Sequence, residues 1–112
     1  MTKELQKTFL SYVQNHDIEN VRLLLKDSRI DPSENNNFVF REAIESCDFN
    51  ISELLFNDKR VDPSDFGNYP LLFASEHGYA QIAELLLKDE RVDPSDYNNY
   101  SIVKSFKNGY AE

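Results

Sequence analysis

The residues best suited to chemistry in this chain are two histidines, His16 and His77, and a single cysteine, Cys47. The histidines are far apart in sequence, and neither accompanies a serine or cysteine in a recognisable nucleophile motif. A cysteine acts as a nucleophile only with a base nearby, and one cysteine cannot form an internal disulfide or a cysteine-based zinc cage. The sequence also lacks glycine-rich phosphate motifs and His-Glu-x-x-His. We therefore expect a protein that is not an enzyme and holds no cofactor or metal.

The carboxylates are numerous, but they recur with a constant spacing. Asp-Pro-Ser begins at Asp31, Asp62 and Asp93, so that each copy lies 31 residues after the last. An Asp-x-Arg triplet precedes each copy at the same spacing, as in Asp58-Lys59-Arg60. We expect a ladder of surface ion pairs, each worth at most about 1 kcal/mol, rather than a metal or anion site.

This repeat extends over nearly the whole chain. Residues 23–33 and 85–95 agree at 9 of 11 positions, and residues 54–64 agree with 85–95 at 8 of 11. An aromatic residue preceded by asparagine recurs at the same spacing, at Phe38, Tyr69 and Tyr100. Self-similarity with a fixed period of this length is typical of stacked repeat architectures.

The elements of one period are clearest in residues 65–95. Asp65-Phe66-Gly67-Asn68 has turn composition, and Pro70 suits the first position of a helix. Gly78 suits the end of that short helix, and a longer helix with an apolar face follows before an extended return. Because neither helix can bury its apolar side alone, we expect successive periods to stack into a solenoid.

These residues resemble the ankyrin repeat. Gly67 matches its turn glycine, and Tyr69-Pro70-Leu71-Leu72 stands where the family has Thr-Pro-Leu-His. Ala74-Ser75 matches its alanine pair, Gly78-Tyr79 the step between helices, and residues 82–87 its second helix. The resemblance covers residues 8–112. It implies an all-α, ankyrin-type solenoid of stacked helix-turn-helix repeats with short hairpin or loop connections.

The departures from the family pattern carry expectations of their own. The period is 31 residues rather than about 33, which predicts short or loop-like hairpins. Phe38, Tyr69 and Tyr100 replace the capping threonine, so we expect the preceding Asn37, Asn68 and Asn99 to cap the first helices. The Asp-Pro-Ser form resembles a variant of giant amoeba viruses and some protists.

We expect one ankyrin-repeat domain over the whole chain. It comprises an N-terminal capping repeat (1–33), two repeats (34–64 and 65–95) and a C-terminal half repeat (96–112). Residues assigned to its core are Leu5, Phe9, Val13, Ile18, Val21, Leu24, Ala43, Ile44, Phe49, Leu54, Leu55, Leu71, Ala74, Ile82, Leu85, Leu86 and Ile102. The half repeat leaves a stacking face uncovered, and exposed apolar patches usually mark an interface. A self-associating structural unit, stacking through this end, is therefore the alternative to a binding module.

Composition indicates the kind of partner. The net charge of -8 opposes binding to nucleic acid or anionic membranes and favours another protein with a basic surface. The sequence has no apolar run long enough to cross a bilayer and no apolar leader at its start. We expect a cytoplasmic protein, in the host cytoplasm if the source is viral, that is a monomer or a weak homo-oligomer.

The resemblance places the partner on a concave surface made by the hairpin tips and the exposed side of each first helix. Among the tips, Phe66 and Tyr97 are candidate anchors, although packing over the neighbouring hairpin is the alternative. The expected contact residues are Asn35, Asn37, Glu42, Glu45, Asp65, Phe66, Asn68, Phe73, Glu76, His77, Tyr97, Asn99 and Lys107.

Overall fold

The computed structural model describes residues 2–92, except for the side chains of residues 2, 66 and 67. This part of the chain consists of helices and connecting turns, without a strand. The helices are α1 (Thr2–Gln14), α2 (Ile18–Leu25), α3 (Glu34–Glu45), α4 (Phe49–Phe56), α5 (Asp65–Glu76) and α6 (Ala80–Leu86). The first helix of each pair packs on its second helix, α3 packs between α1 and α5, and α4 packs between α2 and α6. The two resulting layers confirm the predicted all-α solenoid of helix-turn-helix repeats.

The structural period equals the sequence period. The second helices α2, α4 and α6 begin at Ile18, Phe49 and Ala80, at intervals of 31 residues. The expectation that the first helix of a period is shorter than the second was wrong. Residues 38–45, the right-handed part of α3, are as long as the 8-residue helix α4.

The first residues of α3 and α5 include left-handed positions. Asn35, Asn36 and Asn37 have φ angles of 55°, 57° and 60°, and Asn68 has a φ of 60°. Asparagine tolerates this conformation because its short polar side chain can bond locally. The tips are therefore loop-like, as expected from the short period. Pro70 lies two residues after Asn68 and inside α5, in the first right-handed turn, where its missing N–H costs little.

The turns between paired helices use one left-handed residue each. Gly78 has a φ of 71° directly after α5, and the backbone N–H of Tyr79 donates to the carbonyl of Ala74 at 2.9 Å. This is the Schellman arrangement that the glycine predicted. His16 and Cys47 occupy the same position with φ angles of 59° and 57°. A side chain there is strained by roughly 1 kcal/mol.

The core lies between the two helix layers. Most of its predicted residues are buried, namely Phe9, Val13, Val21, Ala43, Ile44, Leu55, Leu71, Ala74, Ile82, Leu85 and Leu86. Five others are partly buried and pack against them, namely Leu5, Ile18, Leu24, Phe49 and Leu54, whereas Ile102 lies outside the described residues. The prediction missed Phe40 and Ile51, and also Ile30 and Val61, which lie just before Asp-Pro-Ser in segments interpreted as extended returns.

An amide side chain in α1 and one in α3 each hold the segment that leads to the next first helix. Asn37 Oδ1 accepts the backbone N–H of Asp62 at 2.9 Å, and Asn37 Nδ2 donates to the Asp65 carboxylate at 2.7 Å. Gln6, at the same position of the preceding period, exchanges two hydrogen bonds with the backbone of Asp31, at 2.6 and 3.1 Å. We call these contacts the amide clamps. The prediction that Asn37 caps its own helix was therefore wrong.

An arginine in each period contacts the period before it. Arg60 donates at 2.8 Å to the carbonyl of Ile30 and at 2.8 Å to that of Leu25, the last residue of α2. Arg91 donates to the carbonyl of Val61 at 3.3 Å. Because the last carbonyls of a helix lack partners within it, Arg60 both satisfies and electrostatically favours the end of α2.

The same arginines form the expected ion pairs, mostly within one period. The shortest N–O distances are 2.7 Å for Asp27–Arg29, 2.8 Å for Asp58–Arg60 and 2.7 Å for Asp89–Arg91. Between periods, Arg91 lies 3.8 Å from Asp62. Hydrogen bonds from the arginine side chains lower the pKa of all three aspartates, and that of Asp27 falls to about 2.

These ion pairs predict a loss of stability in acid. A carboxyl group whose pKa is lower in the folded state than in the unfolded state stabilises the fold at any pH above the unfolded-state pKa. This contribution disappears as the pH falls through the folded-state pKa. We expect the free energy of unfolding to decrease between about pH 4 and pH 2, and Asp58→Asn to flatten that decrease. Urea unfolding across this range measures it, with the exposed Glu53→Gln as the control. A pH dependence unchanged by Asp58→Asn would contradict the prediction.

Candidate functional site

The exposed sides of α1, α3 and α5 form one continuous surface, which we call the first-helix face. Gln14, Glu45 and Glu76 occupy the same position in the three helices. Gln14 Nε2 donates to Glu42 Oε1 at 3.5 Å, and the hydroxyl of Tyr69 donates to Glu45 Oε2 at 2.7 Å. These bonds connect neighbouring helices, so the face is a preformed surface on a packed scaffold.

Four aromatic rings meet at the α5 end of this face. The rings of Phe73 and His77 are stacked, with centroids 4.0 Å apart and an interplanar angle of 16°. The rings of Tyr69 and Tyr79 lie 5.8 and 6.0 Å from that of Phe73. We call this group the aromatic row. Residues four apart share one side of a helix, which brings Tyr69, Phe73 and His77 together.

The sequence had singled out Phe73 and His77 as contacts, but not Tyr69 or Tyr79. The spacing of four residues in α5 was a signal that could have found Tyr69. The Tyr79 ring lies 5.6 Å from the His77 ring across the turn after the helix, and helical periodicity does not reveal such a contact. His77 is also held by its own helix, since its Nδ1 atom lies 2.9 Å from the carbonyl oxygen of Phe73.

The electrostatic environment of the aromatic row is negative. Partial burial, the hydrogen bond with Glu45 and the charges of Glu45 and Glu76 raise the pKa of Tyr69 to about 12. The positive charge of Arg41 opposes this rise but does not cancel it. Burial is the largest cause of this rise, and the hydrogen bond with Glu45 places a carboxylate beside the rings, where it would attract a cation.

The structure places the predicted contact residues in several environments. Asn35, Glu45, Glu76 and His77 are exposed, whereas Glu42, Asp65 and Phe73 are partly buried. The side chain of Phe66, and all of Tyr97, Asn99 and Lys107, lie outside the described part of the chain.

Two of the tip asparagines are buried. Asn37 is 3% exposed and Asn68 is 7% exposed. The amide of Asn37 is engaged in the clamp with Asp62 and Asp65. We correct the expected contact surface accordingly, because a buried amide that holds the fold together is not available to a second protein.

A groove between α1 and α3 was not predicted from the sequence. It has a volume of about 490 Å³, and Lys3, Lys7, Leu10 and Phe38 are among its lining residues. The Arg41 guanidinium lies 5.4 Å from the centroid of the Phe38 ring. The face is therefore not uniformly acidic, since α1 contributes Lys3 and Lys7 to this groove, opposite Glu34 at the start of α3.

His16 and Cys47, which were considered for chemistry, lie in the turns between paired helices. His16 Nδ1 lies 2.7 Å from Asp48 Oδ2, and the other oxygen of Asp48 accepts the backbone N–H of Ile51 at 3.1 Å and so caps α4. Cys47 is an exposed free thiol in the turn before that cap. Within residues 2–92, no group of three histidine, cysteine, aspartate or glutamate side chains could hold a metal ion. No helix in this range is long and apolar enough to cross a bilayer.

Comparison with known proteins agrees with this architecture. The ankyrin repeat family model matches residues 66–100, which include most of α5 and all of α6. No curated protein and no solved structure matches the chain. The match supports an ankyrin repeat in this part of the chain, and ankyrin repeats are in general non-enzymatic protein–protein interaction modules. The similarity to the Asp-Pro-Ser variant and the repeat boundaries stay predictions.

Proposed function

We propose that this chain is a non-catalytic protein-binding module whose partner lies along the first-helix face. The observation that carries the proposal is the aromatic row, which stands partly exposed beside Glu45 and Glu76. Aromatic side chains on a preformed surface are typical interface anchors, because they contribute a large contact area and lose little conformational freedom on binding.

The charges along the face define the proposed partner. The carboxylates around α5 favour a basic segment, which they would attract over a distance and orient on arrival. Lys3 and Lys7 at the α1 end favour a neutral or acidic segment there. We therefore propose a partner that is basic where it meets α5, rather than one that is basic throughout.

The predicted tip anchors, Phe66 and Tyr97, which the sequence analysis assigns to the same concave surface as the first helices, provide the test of this function. Peptides selected from a displayed random library would supply a defined partner, whose affinity is measured by calorimetry. We expect Phe66→Ala combined with Tyr97→Ala to weaken binding by more than about 2 kcal/mol, or about 30-fold, with the fold retained by circular dichroism. Removal of two anchors loses contact area that a preformed surface cannot replace.

The matched control is Leu23→Ala combined with Glu53→Ala. Both positions are exposed on the second helices α2 and α4, on the other layer of the solenoid. Equal affinities of the tip variant and the wild type would contradict the assigned surface. Equal losses in the tip and control variants would do so as well.

A further inference from the structure

We propose that the aromatic row binds an arginine side chain of the partner, with Glu76 and Glu45 as its counter-charges. This inference rests on the proposed function and specifies the chemistry of one contact. A guanidinium is planar, stacks on aromatic rings and pairs with carboxylates, so it matches both features of the surface.

The carboxylate of Glu76 is available for such a ligand. It is exposed, and no hydrogen bond or ion pair involves it within the described residues. It is close enough to Tyr69 for its charge to contribute to the raised pKa of the phenol. A cation held against the rings of Tyr69 and Phe73 would therefore lie in the field of Glu76.

The preceding period already contains an interaction of this kind. In α3, the guanidinium of Arg41 lies over the Phe38 ring. Tyr69 occupies the position of Phe38 in α5, whereas the position of Arg41 is taken by Leu72. The solenoid thus repeats the aromatic residue but not its arginine, and the proposed partner supplies the missing guanidinium.

The nearest opposing charge is held elsewhere. Arg41 reduces the negative field at Tyr69, but its guanidinium donates to the carbonyl oxygens of Asn35 and Asn36 at 3.0 and 3.3 Å. These bonds hold the guanidinium at the start of α3, in the period before the aromatic row.

Carbon-detected or proton–carbon NMR titrations of the full chain test this contact. The probe is Nα-acetyl-arginine amide, and Nα-acetyl-citrulline amide is its uncharged match in shape. We expect the arginine probe to shift the ring signals of Tyr69 and Phe73 saturably, with a millimolar dissociation constant, and the citrulline probe to bind at least about fivefold more weakly. Equal binding of the two probes would overturn the proposal.

Charge variants distinguish a local site from general attraction. Glu76→Gln should weaken the arginine probe about threefold or more, whereas Glu53→Gln on α4, which changes the net charge equally, should not. Equal effects of the two variants would overturn the proposal. Should the probe fail while Phe66→Ala with Tyr97→Ala still lowers peptide affinity, this contact alone is wrong. Failure of both experiments removes the proposed function too.

Discussion

Replacing Phe40 with alanine is expected to lower the free energy of unfolding by about 3–5 kcal/mol. Phe40 is fully buried in α3, the helix that packs against α1, α4 and α5. Its removal opens a cavity in the middle period and weakens the contacts to both neighbours. Since a domain of this size has about 5–15 kcal/mol of stability, much of it would be lost. Urea unfolding followed by far-UV circular dichroism measures the change.

The control for this variant is Leu23→Ala. Leu23 is 62% exposed on α2, so its truncation should change stability by less than about 0.5 kcal/mol. A loss below about 1 kcal/mol for Phe40→Ala would mean that α3 is not the centre of a common core.

The second large effect is expected from the amide clamp. Asn37→Ala removes the acceptor of the Asp62 backbone N–H and the donor to the Asp65 carboxylate. Because a part-buried backbone donor is left without a partner, we expect a loss of about 2 kcal/mol in unfolding free energy. Hydrogen exchange at the Asp62 backbone amide should accelerate by more than the loss of global stability accounts for.

Asn37→Ala also adds backbone strain, because residue 37 is left-handed. Asn36→Ala measures that strain separately. Asn36 has a similar φ of 57° but is exposed, so Asn36→Ala carries the same backbone strain without the loss of a clamp. The difference between the two alanine variants isolates the amide contacts. Equal destabilisation by both would show that the backbone, and not the clamp, determines the effect.

The repeat made the fold predictable. A constant spacing of Asp-Pro-Ser and a glycine such as Gly78 after the first helix specify helix pairs that stack, whatever their detailed contacts. Turn chemistry was predictable for the same reason, since Gly78 has the left-handed conformation that its position requires. Local patterns therefore sufficed where local physics determines the structure.

The contacts between periods were not predictable in this way. Asn37 has the residue type of a helix cap, but its amide reaches a backbone N–H 25 residues ahead. Gln6 in α1 performs the same role and is 8% exposed. Arg60 was expected only in a surface ion pair, yet it also reaches back to the last residue of α2. Which distant residue a side chain contacts depends on how neighbouring segments pack, and the local sequence pattern does not contain that information.

The candidate site was predicted in part. Exposed positions such as Glu76 and His77 followed from the family resemblance, but their grouping with Tyr69 and Tyr79 required the positions of neighbouring rings. The groove between α1 and α3 was missed because net charge averages over the whole surface, whereas Lys3 and Lys7 lie together in this groove.

The direction of the arginine contact between periods has a consequence for how this array can evolve. Residues 34–64 contain the clamp bond between Asn37 and Asp62 and also Arg60, which donates to the period before it, whereas the second clamp partner, Asp65, belongs to the period that follows. A tandem duplication of this stretch would therefore carry both kinds of contact, because Arg60 needs only backbone carbonyls from its upstream neighbour and any sequence offers these. Such an array can lengthen by whole units without a new kind of arginine contact.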